Sequence, residues 1–116
     1  MIKKISSILA LSLVFSSCYY DKEELLYPSP VDCSTLNARY STHIAPIIQT
    51  RCAISGCHDA SSGNKGGPFT NYTLIQLKAN TIKAQVESGA MPQGSSLTAN
   101  EIRLISCWVS SGAPNN

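Results

Sequence analysis

The chain has 116 residues, with nine Lys+Arg against seven Asp+Glu and a formal net charge of +2. Charged residues make up 14% and hydrophobic ones 43%, with no unbroken charge tract, which excludes disorder as a description of the whole chain. Two of the cations, Lys3 and Lys4, lie in an amino-terminal leader, so the remaining seven balance the seven carboxylates and leave no basic footprint for nucleic acid.

Residues 1–17 (MIKKISSILALSLVFSS) have a basic start, an apolar run from Ile5 to Phe15 and small Ser16 and Ser17 before Cys18. This pattern predicts a signal peptide; the apolar run is too short for a permanent membrane span. Small residues followed at once by cysteine resemble a bacterial lipobox, with Phe15 where leucine is commoner. The resemblance implies cleavage before Cys18 and diacylglycerol on its thiol; an ordinary signal peptide with an incidental cysteine is the alternative. Residues 18–32 then form a tether that closes with Pro28 and Pro30, which resist helix. Within it, Lys22-Glu23-Glu24 resembles the surface-export signal of Bacteroidetes lipoproteins, or is simply a solvated acidic linker. The expected location is the outer membrane, on its periplasmic face or the cell surface. Residues 33–116 remain for one small domain, which at this size usually needs a disulfide, metal or cofactor as a staple.

Tyr40 to Cys52 predicts the first helix, with apolar residues at 40, 44, 47, 48 and 52. Ser41 or Thr42 is the expected cap, and Pro46 falls in or near the first turn. The helix runs into Cys52-Ala53-Ile54-Ser55-Gly56-Cys57-His58. Two cysteines with histidine directly after the second are the attachment signal for c-type haem, in which the thiols become thioethers and the histidine is the proximal iron ligand. The spacer here has four residues where two are usual, so the extra residues must loop outward, and Gly56 supplies backbone freedom for that. Three other readings stay open. They are a zinc site with His43 or another cysteine as fourth ligand, a Cys52–Cys57 disulfide, and a redox thiol pair.

Asp59 to Thr70 is rich in Gly and Ser and predicts a loop. A proximal histidine usually donates its other ring N–H to a fixed acceptor, and the Pro68 carbonyl is the candidate; Gly66-Gly67-Pro68 as a plain turn is the alternative. Short helices are expected over Asn71–Ala79 and Thr81–Ser88, the second with Ile82 and Val86 on one side. Met91 follows, 33 residues past His58 and the one methionine outside the leader. Pro92 favours extended backbone at Met91, and Gly89 suits the left-handed turn that ends the preceding helix. A thioether presented from such a loop suits the distal position of an electron-transfer haem, so Met91 and His58 are the candidate iron ligands. His43 is the other histidine and the alternative distal ligand.

The last helix carries the clearest local signals. Thr98 and Glu101 form a capping box, Leu97 and Ile102 have staple spacing, and Gly112 is a C-cap. Ile102, Ile105, Trp108 and Val109 form its expected buried stripe. No strand pattern or internal repeat is evident, so the fold class is all-α. With Cys18 assigned to lipid and Cys52 and Cys57 to haem, Cys33 and Cys107 are left as a disulfide candidate closing a 75-residue loop, worth roughly 4 kcal/mol in the chain-entropy model. Two free buried thiols are the alternative.

The IAPIIQTRC…GCH segment, the GGP loop and SGAMPQGSSLTANEIRLISCWVSSGAP together resemble a small class I cytochrome c domain of the Bacteroidetes lipoprotein type, over about Cys33 to Pro114. The resemblance implies a helical fold with its first and last helices packed around one covalent haem, held by Cys52 and Cys57 and ligated by His58 and Met91. The four-residue spacer departs from the family pattern. The expected function is a membrane-tethered monohaem carrier that passes single electrons between redox partner proteins, not an enzyme, and expected as a monomer. A small-ligand-binding or sensory haem lipoprotein, and a disulfide-stabilised structural lipoprotein without haem, are the alternatives.

Overall fold

The computed structural model describes residues 31–64 and 66–116. The expected signal peptide, Cys18 as the expected lipid site and residues 19–30 of the tether expected over 18–32 lie outside them. Helix is the regular structure here, with no strand among the described residues. A π-helical turn, Tyr40–Ile44, leads into α1 (Ala45–Arg51), and α2 (Tyr72–Leu77), α3 (Ala79–Glu87) and α4 (Ala99–Ser110) follow.

The expected first helix is therefore present, but its opening turn is wide. The N–H groups of Ile44 and Ala45 donate to the carbonyls of Arg39 and Tyr40, five residues back. Pro46 gives the physical reason. It has no N–H, and its ring crowds the carbonyl four residues earlier, so regular α geometry does not run through it. Pro46 falls instead in the first turn of α1, where a missing N–H is tolerated.

The cap expected from Ser41 or Thr42 is not used. Arg39 is the N-cap, without a side-chain cap bond. His43 Nδ1 accepts from the Arg39 N–H at 3.1 Å. Asn116 accepts the next two donors, its side-chain oxygen from Tyr40 N–H and its carbonyl from Ser41 N–H, both at 2.8 Å. The orphan N–H groups of a helix start need acceptors, and here the far end of the chain provides them.

Cys33 and Cys107 form the disulfide, with Cα atoms 5.4 Å apart. It ties the start of the described chain to α4, which also packs against α3 and the π-helical turn. Ile44, Ile48 and Cys52 from the first stripe are buried with Ile105 and Trp108 from α4. Removing such side chains from water stabilises the fold by about 1.5–3 kcal/mol each. Tyr40 meets the Tyr72 ring edge-on at 4.9 Å and lies 5.8 Å from Trp108. The tail is stitched to this cluster: Trp108 Nε1 donates to the Pro114 carbonyl at 2.9 Å, and Tyr72 Oη to the Ala113 carbonyl at 2.9 Å.

The two middle helices start and stop a little away from the expected bounds and are separated by Lys78 alone. Asn71 caps α2, its side chain accepting from Leu74 N–H at 3.1 Å. The capping box of α4 is complete: Thr98 N–H donates to Glu101 at 2.7 Å and Glu101 N–H to Thr98 Oγ1 at 3.2 Å. Gly112 ends the helix at φ +93°. The stripe on α4 is corrected in detail. Ile105 and Trp108 are fully buried, Ile102 and Val109 only partly, and Ser106 is buried among them at 1% exposure. Ser106 is tolerated because its hydroxyl donates to Glu87 Oε1 of α3 at 2.7 Å.

Candidate functional site

A cavity of about 580 Å³ opens beside the end of α1, within the range of small-molecule and cofactor sites. Cys52, Cys57, His58 and Met91 all line it, although the last lies far along the sequence. Thr81, Ile82, Gln85 and Val86 bring one face of α3 to the same space, with Phe69 and Pro92.

Each of the four chemical residues is placed by local backbone. The 53–56 spacer turns back on itself: Cys57 N–H donates to the Ile54 carbonyl and His58 N–H to the Cys52 carbonyl, both at 3.0 Å. Gly56 takes φ +81°, and Ile54, Ser55 and Gly56 are exposed, as the longer spacer requires. The Cys57 carbonyl accepts from Ser62 Oγ at 2.6 Å and from Asn64 Nδ2, which fixes the second cysteine from the following loop. Met91 follows the left-handed turn at Gly89 (φ +72°), and its N–H donates to the Gln85 carbonyl at 3.2 Å. Its side chain is half-buried at the cavity.

Cys52 and Cys57 are not bonded to each other. Burial, with smaller contributions from Cys57 and Glu101, pushes the Cys52 thiol up to about 11, so it stays protonated near neutral pH. Beside it Arg51 Nε meets Glu101 Oε1 at 3.3 Å. The Thr98 backbone N–H is the main cause holding the Glu101 carboxyl below its ordinary range, with Arg51 adding to it.

The imidazole of His58 has a defined tautomer. Its Nδ1 lies 3.0 Å from the Gly67 carbonyl, which can only accept, so Nδ1 is the donor here and Nε2 is the nitrogen left available to a ligand. This corrects the expected acceptor: it is Gly67, not Pro68, and Pro68 does not line the cavity. The Phe69 N–H also donates to the His58 carbonyl, at 2.9 Å. A carbonyl and the N–H two residues on share one edge of an alternating backbone, which leaves the intervening carbonyl of Pro68 on the other edge. Gly67 enters this arrangement at φ +85°.

His43, the alternative distal ligand, does not line the cavity; its Nδ1 is committed to Arg39 at the helix start. Phe69 is a site residue that sequence reasoning passed over: its ring stacks on His58 at 4.3 Å. The α3 face could have been found, since Ile82 and Val86 already marked its apolar side. Phe69 had no such signal, because loop residues carry no periodicity.

Among the described residues no three His, Cys, Asp or Glu side chains converge as a metal-holding cluster. The donors at the cavity are two free thiols, an imidazole with Nε2 available and a soft thioether, a set chemically compatible with covalent haem. No helix among the described residues is long and apolar enough to cross a membrane. No protein-family model, curated protein or solved structure matches the chain.

Proposed function

We propose that this cavity holds one covalent haem and that the protein is a membrane-tethered electron carrier of the class I cytochrome c type. The observation that carries the reading is the meeting of Cys52, Cys57, His58 and Met91 at one cavity from two separate stretches of chain. Contact between the first helical segment and α4, which the family resemblance implies, also supports it. When bound, haem supplies an iron that gains and loses one electron.

The chain's own residues supply the rest. Cys52 and Cys57 provide thiols for thioether bonds. Gly67 holds the proton on Nδ1 of His58, leaving Nε2 as the proximal donor and raising its basicity. Met91 would offer its thioether to the iron, a soft ligand that would raise the reduction potential. Ile82, Val86 and Phe69 give the space between these donors apolar walls. If His58 and Met91 both held the iron, no position on it would be left open to substrate, and the site would favour electron transfer over substrate chemistry. Lipid on Cys18 would hold the domain at the outer membrane, facing redox partner proteins.

The test is the intact mass and visible spectrum of the mature protein, exported in a host with haem-maturation machinery. The expected result is one haem, added acyl chains and low-spin bands with a weak near-infrared Met–Fe band. A colourless protein without the haem mass would overturn the reading. High-spin bands that shift with carbon monoxide would replace it with the small-ligand-binding alternative.

A further inference from the structure

His58 is held on several sides, and one of them is an absence. A Cβ built on Gly66 would lie 2.7 Å from Cε1 of the imidazole, 3.3 Å from Nδ1 and 3.7 Å from Nε2. Real Cβ atoms essentially never approach so closely, so any side chain at 66 must displace the ring or the loop. Gly63, Gly67 and the other glycines with positive φ have nothing within 4 Å of such an atom. Their glycine answers a backbone demand. Gly66 has no positive φ, so its glycine answers the ring.

We propose that Gly66 is a positioning residue for His58: the bare backbone at 66 lets the imidazole seat against the loop with its Nε2 edge clear for the haem iron. The proposal rests on the haem reading for its purpose, though not for the contact itself. The ring has little room to yield. The Gly67 carbonyl holds Nδ1 at 3.0 Å and Phe69 stacks on the ring at 4.3 Å. A methyl at 66 needs roughly 0.7 Å of relief, the gap between 2.7 Å and ordinary contact at 3.4 Å. Retreat of the ring stretches the Nδ1–H bond to Gly67, lowers the basicity of Nε2 and weakens its donation to iron. Weaker donation disfavours the ferric state, so the reduction potential rises.

The experiment pairs Gly66→Ala with Gly63→Ala. Gly63 sits in the same loop at φ +62° with open space around it, so alanine there strains backbone without touching the ring. Nuclear magnetic resonance of the purified, reduced protein should first show a nuclear Overhauser contact between Gly66 Hα and His58 Hε1; its absence overturns the proposal before any variant is made. Gly66→Ala should then shift the His58 ring resonances and raise the potential. Gly63→Ala should lower the melting temperature with ring resonances and potential unmoved. Unchanged ring signals and potential in Gly66→Ala, or equal shifts in Gly63→Ala, overturn it. If Gly66→Ala fails to fold, the Overhauser contact in the unmodified protein decides. A colourless unmodified protein is a failure of the haem reading, and the contact is then measured on that protein, where its absence counts against the Gly66 role in the same way.

Discussion

The α4 region and the loop from Asp59 to Thr70 are held together in opposite ways. Helix α4 has a complete capping box, a disulfide, a buried tryptophan and a regular hydrogen-bond ladder. The loop has no ladder; single bonds from Ser62, Asn64, Gly67 and Phe69 converge on Cys57 and His58. One region makes the scaffold and the other aims two donors into the cavity. The contrast teaches that α4 and this loop can be altered one at a time, while Cys52, Phe69, Ile82 and Val86 belong both to the core and to the cavity wall.

The largest expected effect lies in the scaffold. Replacing Cys33 and Cys107 together by serine removes a bridge across 74 residues of sequence separation. Loop entropy makes this a loss of roughly 4 kcal/mol, readable by urea denaturation. Trp108→Phe keeps a ring in place but leaves the Pro114 carbonyl without its donor and a small void. It should cost about 2 kcal/mol by the same measurement. Thr98→Ala removes the α4 cap and should cost about 1 kcal/mol. None of these three changes touches a cavity donor, so a matched loss of haem binding at constant foldedness would break the division.

Met91→Ala probes the other side. Met91 lines the cavity from a loop, outside the scaffold of α4. The near-infrared band should vanish and the reduction potential fall, and an unchanged spectrum would remove Met91 from the ligand set. The smallest effect is on acid stability. Glu101 is held below its ordinary value of 4.5 in the folded protein, chiefly by the Thr98 N–H. Its contribution is therefore present above that value and lost as pH falls through the lowered one. Glu101→Gln should flatten this part of the acid limb in a series of melting temperatures against pH, where the unmodified protein is steeper.

Much of the site is legible in the sequence because its signals are chemical and short. Two cysteines and a histidine, a methionine before proline, and a capping box are each read within a few residues. The helical stripe through Ile44, Ile48 and Cys52 is legible for the same reason, since 3.6-residue periodicity is a local property. The π-helical opening is not, although Pro46 stands in plain view, because a proline can start a helix or widen one and its neighbours decide which. The Pro68 expectation misses by one residue because the acceptor depends on which edge of the backbone faces His58.

What the sequence by itself determined is the helical character, the α4 boundaries, the Cys33–Cys107 candidate pair and the set of candidate donors. These follow from periodicity, capping chemistry and cysteine parity, each of which acts along the chain or by elimination. Only the tertiary structure decided that Asn116 caps a helix 76 residues away, that Phe69 and Gly66 flank the imidazole, and that Gly67 fixes its tautomer. Those are contacts across space between segments without periodicity, and no local pattern encodes which backbone group will arrive beside which ring.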